Sequence, residues 1–326
     1  MQAVILKKAS MLVVFTSLVL SCATDPARSA LLDGVDDFLL QLQNYDLDAI
    51  KASQYDLVVM DYSSGSEPWS SQDIRGLKSS EGGKIVLAYL SIGEAEDYRA
   101  YWLPEWVDEG FADPDRPEWL GRENPEWQGN YKVKYWHPDW QDIVVSYLDQ
   151  IIDQGFDGIY MDIVDGYWYW SNEAAAAGET EQLGGIEDAA DRMVDFVVAI
   201  ASHCRIDRRI VDFILCPQNG SFIVHDCSPS RAAAFWSAID AIGAEDTFFY
   251  GDLDEDNPYN PQNDVILNLD GFVGAGKTVL ATDYLSEGNR ADIATFYSLC
   301  RSHGYVPFAG SRGLDSLRIN PGHEPD

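Results

Sequence analysis

The sequence predicts an α/β fold, a single-domain (β/α)8 TIM barrel, and three observations support it. Short runs rich in β-branched and aromatic residues alternate with amphipathic stretches along nearly the whole chain, the pattern of a parallel sheet with crossover helices. Eight such runs occur, the number a closed barrel needs. No Gly-x-Gly-x-x-Gly loop follows the first of them, so the open dinucleotide-binding alternative lacks its phosphate cradle.

The runs span residues 38–43, 56–61, 84–91, 155–162, 210–216, 239–243, 277–282 and 304–308, the sixth being the weakest. Helices are expected between them. At 138–154, Ile143, Val144, Tyr147, Leu148, Ile151 and Ile152 recur at helical spacing, and 186–204 and 287–302 read the same way. Two connections are long, 92–133 and 163–185, and in a barrel both lie on the face that carries active sites. The barrel domain is assigned to residues 30–320.

Ahead of it, Lys7 and Lys8 precede an apolar run at 11–20 that is too short to span a bilayer and fits a secretory signal. Val19-Leu20-Ser21-Cys22 then reads as a lipobox, so residues 1–22 are taken as a signal peptide ending at a lipidated Cys22. Export to the cell envelope or beyond follows. No later apolar run is long enough to cross a membrane, so membrane contact is expected only through the N-terminal lipid.

Against 22 Lys+Arg stand 54 Asp+Glu, a formal net charge of -32. Such a field repels nucleic acid and draws in cations, which excludes a DNA or RNA partner and suits a polycationic one. A saline habitat would account for the acidity equally well. Beyond Cys22 the cysteines are Cys204, Cys216, Cys227 and Cys300, an even number that in an exported protein fits either structural thiols or one or two disulfides, with Cys216–Cys227 as the suggested pair. The five histidines show no metal-ligand spacing, so neither metal nor cofactor is expected. Residues 274–278 imitate the end of a phosphate loop, but the upstream glycine spacing fails and the segment enters a strand.

Polar residues recur where the predicted strands end: Asp61, then Glu94 and Glu96, Asp162 and Asp165, Gln218 and Asn219, Glu245, and Asp283. One such acid is an ordinary helix cap or solvated charge. Carboxylates at several strand ends converge on one face of a barrel, and that concentration points to chemistry. The apolar strand 155–162 delivers Asp162 at its tip on a rigid element, whereas Asp157 at its other end reads as structural. Glycosidic cleavage needs a second carboxyl group to protonate the leaving oxygen, and Glu245 is the candidate, with Glu94 and Glu96 as rivals. Eight of the ten tryptophans fall between Trp102 and Trp170, mostly in the long top-face connections. Flat rings match the apolar faces of sugars, and Trp119, Trp127, Trp168 and Trp170 are the stacking candidates.

The segments 55–62, 88–99, 133–136, 155–165, Pro217-Gln218-Asn219-Gly220, Glu245-Asp246 and Thr282-Asp283-Tyr284 together resemble glycoside hydrolase family 114, the endo-α-1,4-polygalactosaminidases. The resemblance covers nearly the whole mature chain. It implies an extracellular barrel acting on an α-1,4-linked galactosamine polymer, with Asp162 and Glu245 as the catalytic pair and Asp162 as the ionised partner. On this reading Asp61, Glu94, Glu96, Asp165 and Asp283 are expected to hold hydroxyl and ammonium groups, Gln218 and Asn219 to hydrogen-bond the sugar, and Tyr89, Arg99, Tyr135, Tyr160, Trp168 and Tyr284 to contact substrate. Two alternatives stay open: a surface polysaccharide-binding lipoprotein without turnover, and a barrel hydrolase of a different glycan.

Overall fold

The computed structural model describes residues 26–65, 67–80, 82–107, 115–179, 181 and 183–326. The predicted signal peptide and Cys22 lie outside the described residues. In chain order the strands are β1 (Phe38–Leu40), β2 (Leu57–Asp61), β3 (Ile85–Ser91), β4 (Glu94–Glu96), β5 (Leu120–Glu123), β6 (Asn130–Val133), β7 (Gly158–Asp162), β8 (Ile214–Pro217), β9 (Ala241–Glu245), β10 (Thr278–Tyr284) and β11 (Val306–Gly310).

Five strands pair in parallel in the order β1-β2-β3-β7-β8, and three more in the order β11-β10-β9. These eight strands correspond to the eight predicted runs. The two sheets meet at a hydrogen-bonded seam between β8 and β9: Asp240 N–H donates to Leu215 O at 2.9 Å, and Asn219 N–H to Gly243 O at 2.8 Å. At the opposite edges no paired register joins β1 to β11 among the described residues. There Phe38 and Phe308 bring their rings to 5.6 Å, and just beyond the strands Leu42 N–H donates to Leu314 O at 2.7 Å.

The strands read as continuous apolar runs because both of their faces are covered: Leu57, Val58, Val59 and Met60 are all fully buried. The helix Pro138–Gln154 has the predicted bounds. Pro138 suits its first turn, His137 caps it, and Trp140, Val144, Leu148 and Ile151 line its buried face. Gly155 ends it at φ 92°, a conformation glycine adopts without strain, so the following strand begins at Gly158 rather than at 155.

The long connection 92–133 carries a small antiparallel sheet, β4-β6-β5, over the strand ends, and one expectation fails. The cysteine pair Cys216–Cys227 does not form, because Cys204, Cys216, Cys227 and Cys300 are all free and buried as packing groups. Cys216 belongs to the wall of β8, and burial pushes its thiol well up.

Candidate active site

A cavity of about 980 Å³ opens over the C-terminal ends of the parallel strands. Asp162 closes β7 at its floor. Tyr89 of β3 donates its hydroxyl to Asp162 Oδ2 at 2.5 Å, and the Ile163 N–H donates to Oδ1 at 2.8 Å. The second bond exists because Ile163 turns back at φ 59°, a conformation costly for a β-branched side chain. Gly93 packs so tightly on Ile163 that a Cβ there would collide with the Ile163 carbonyl and side chain.

Glu245 ends β9 across the cleft. Tyr284 donates its hydroxyl to Glu245 Oε1, Asn219 Nδ2 donates to Oε2 at 3.3 Å, and the Glu245 N–H returns a bond to Asn219 Oδ1 at 3.2 Å. Tyr160 and Gln218 hydrogen-bond directly behind Gly243, where any side chain would strike both. Burial and the Glu245 charge push Asp162 up to about 8, and burial pushes Glu245 up as well. Both carboxyl groups are thus harder to ionise than in water, Asp162 chiefly through burial and then through the charge of Glu245.

The walls carry further charge, most of it paired. Arg99 donates Nε to Glu96 at 2.6 Å and Nη1 to Asp61 at 2.8 Å, with the Tyr62, Tyr89 and Tyr98 rings around it. Burial works against the Arg99 charge, yet Glu96 and Asp61 hold it well above the ordinary value. Glu94, nearly fully buried, accepts Lys132 Nζ at 2.5 Å and Asn124 Nδ2 at 2.9 Å, both reaching in from the small antiparallel sheet. Asp165 faces the cleft without a cation bonded to its carboxylate among the described residues; burial pushes it up to about 6, against the pull of Lys132.

The model of the glycoside-hydrolase family GH114 matches residues 23–324. The chain belongs to the glycoside-hydrolase family GH114. An uncharacterised protein of Methanocaldococcus jannaschii is 39% identical over 287 residues, covering 85% of this chain and 76% of its own. One from Thermotoga maritima is 34% identical over 316 residues, 94% of this chain and 90% of its own. Among solved structures, the glycoside hydrolase domain of PelA from Pseudomonas aeruginosa superposes with a TM-score of 0.62 at 20% identity, over 87% of this chain and 98% of that one. Ega3 of Aspergillus fumigatus, solved in complex with galactosamine, gives 0.58 at 16% identity, over 86% and 93%. At these identities the two structures speak for a shared fold.

In this GH114 glycosidase the cleft gathers Asp61, Tyr89, Glu94, Glu96, Arg99, Tyr160, Asp162, Asp165, Gln218, Asn219, Glu245 and Tyr284. Three predicted contact residues lie elsewhere. Tyr135 is fully buried and donates its hydroxyl to Ala189 O at 2.8 Å. Asp283 is fully buried behind β9, accepting three backbone N–H groups. Trp168 is exposed but outside the cleft wall. Of the other stacking candidates, Trp127 lines the cleft, while Trp119 packs on Trp106 and Trp140, and Trp170 is buried with its Nε1–H on Val133 O. Sequence reasoning missed Lys132 and Arg312. The signal for both was weak: single basic residues in an acidic chain, placed where acids cluster.

Proposed function

We propose that this GH114 chain is an exported endo-acting glycosidase that cleaves an α-1,4-linked, galactosamine-containing polysaccharide, with Asp162 and Glu245 as its catalytic pair on a closed (β/α)8 barrel. The observation that carries the reading is the pair itself: two carboxyl groups at the tips of β7 and β9, in one cleft, both raised by burial, with the charge of Glu245 raising Asp162 further. Glycosidic hydrolysis needs one such group protonated and the other charged. Glu94 is a poor acid because Lys132 already bonds its carboxylate, and Glu96 is tied to Arg99.

Glu245 gives its proton to the leaving glycosidic oxygen, and Asp162 faces the anomeric carbon as nucleophile or as base for water. Asp162, at about 8, competes with Glu245 for the proton. A cationic amino sugar seated beside it favours the carboxylate, which leaves the proton on Glu245. Asp165 supplies a cleft-facing carboxylate for an ammonium group, and Trp127 a ring for a sugar face. The galactosamine held by the Ega3 structure agrees with this substrate class.

Incubation with de-N-acetylated and N-acetylated galactosamine oligomers, followed by mass spectrometry, tests the reading. Internal cleavage of the de-N-acetylated oligomer supports it. Binding without cleavage favours a polysaccharide-binding lipoprotein, and cleavage of the acetylated or a neutral glycan alone favours a different substrate. A lipid on Cys22 is part of the same proposal: palmitate should label the wild type, and Cys22→Ala should remain unlabelled.

A further inference from the structure

Asp283 lies on β10 between Thr282, the register partner of Glu245, and Tyr284, whose hydroxyl donates to Glu245. Strand alternation turns Asp283 the other way, and its side chain is fully buried. There its Oδ1 accepts the Thr247 N–H at 2.6 Å, and its Oδ2 accepts those of Phe248 at 3.0 Å and Phe249 at 2.9 Å. Three consecutive donors on one carboxylate fix the segment that follows Glu245. The same segment is held from the cleft side, where Asp246, at φ 51°, accepts both terminal nitrogens of Arg312 at 2.8 and 2.9 Å. Arg312 in turn lies 3.8 Å over the Tyr284 ring.

A buried carboxylate is expensive, and this one touches neither the cleft nor a bonded cation among the described residues. We propose that Asp283 is a positioning residue: it clamps residues 247–249 so that the Asp246–Arg312–Tyr284 contacts hold the Glu245 carboxyl group where it can release its proton. The inference rests on Glu245 being the general acid. Both carboxylate oxygens are in use, so Asp283→Asn removes one acceptor and turns an amide N–H toward a backbone N–H.

The variant should lose about 10- to 100-fold in kcat on galactosamine oligomers with KM within about twofold, the cost of a misplaced group. The alkaline limb of its pH profile should move to higher pH, because Glu245 loses a hydroxyl donor that favours its ionised form. Amide exchange at residues 247–249 should accelerate. Lower yield and melting temperature, with turnover per folded molecule and the alkaline limb unchanged, would mean a structural role only and overturn the proposal. Should Asp283→Asn fail to fold, Arg312→Lys keeps the charge, drops the two-point hold on Asp246, and must show the same kcat loss and limb shift; wild-type values overturn the clamp. Glu245→Gln run alongside separates the failures. If it keeps turnover, the assignment of Glu245 is at fault and the clamp has no acid to serve; if it is inactive while Asp283→Asn turns over normally, only the clamp is wrong.

Discussion

The two ends of β7 and of β9 treat charge in opposite ways. Just before β3, β7, β9 and β10, Lys84, Asp157, Asp240 and Lys277 all have partners. Asp157, just before β7, accepts Lys78 Nζ at 2.6 Å and the Val86 N–H at 2.9 Å. Asp240, just before β9, accepts Arg28 at 3.0 Å, Arg205, and the Leu215 N–H at 2.9 Å. Lys84 and Lys277, before β3 and β10, donate to backbone carbonyls. At the C-terminal ends of the same β7 and β9, Asp162 and Glu245 meet hydroxyl, amide and N–H donors, no cation among the described residues bonds to them, and the charge of Glu245 raises Asp162. One end uses charge to tie strands together; the other holds two carboxyl groups that burial makes costly to ionise. The difference shows that the position of an acid on its strand, more than its residue type, decides what it does.

The sharpest way to break this contrast is to delete charge at the tied end. Asp240 is almost fully buried, and removing it takes the carboxylate from Arg28 and Arg205 and the acceptor from the Leu215 N–H. Asp240→Ala should cost about 3 to 5 kcal/mol of unfolding free energy by denaturant titration, the loss typical of a broken buried pair. Turnover per folded molecule should hold, and a large fall in kcat would blur the division between the ends.

Deleting charge at the other end should do the reverse. Asp162→Asn and Glu245→Gln keep the shape and remove the ionisable oxygen, so each should lose about 100-fold or more in kcat while folding and oligomer binding survive. The double variant should be little worse than either single one, because the two act as a unit. Near-normal turnover in Glu245→Gln, with loss in Glu94→Gln, would move the acid to β4.

Much of this was legible in the sequence because the signal was periodic. The parallel strands announced themselves as apolar runs, and the tips of β7 and β9 as the polar residues that stop them. What stayed hidden depended on partners distant in the chain. Glu94 reads as a free acid until Lys132, on the neighbouring antiparallel strand, is seen to bond it. That small sheet went unread because Glu-Ala-Glu carries no apolar alternation. β10 runs to Tyr284, not Thr282, because Asp283 satisfies its charge on backbone donors inside the fold, which no local pattern reveals. The turn at Ile163 has no signature either, since nothing in isoleucine favours a positive φ.

The raised acids also give the contrast a pH dependence. Asp162, Asp165 and Asp283 rise from 3.8 in the unfolded chain to about 8, 6 and 7, chiefly through burial. A group raised on folding stabilises fully below its unfolded value and loses that contribution as pH climbs through its folded one. The melting temperature should therefore fall between about pH 5 and pH 8. Asp162→Asn should flatten that slope and melt higher than wild type at the alkaline end, a gain in stability for a loss of activity. Over the same range kcat/KM should drop as the pair loses its last proton near 8. A melting temperature that rises with pH would show these carboxyl groups to be stabilised, not strained, by the fold.

The smallest effect separates two tryptophans that composition alone treats alike. Trp119 is 3% exposed between the Trp106 and Trp140 rings, whereas Trp127 is 53% exposed on the cleft wall. Trp119→Ala empties a packed site and should cost about 3 to 5 kcal/mol of stability. Trp127→Ala removes an open ring from the cleft wall, and if a cationic sugar chain runs over it the contact is worth about 0.5 to 1 kcal/mol at an exposed site. Its KM for de-N-acetylated oligomers should rise about 2- to 5-fold with kcat and melting temperature unchanged. The rise should be smaller for a short oligomer that does not reach the hairpin after β5. If KM is unaffected at every length, Trp127 is a surface residue of that hairpin and the polymer runs along the other wall.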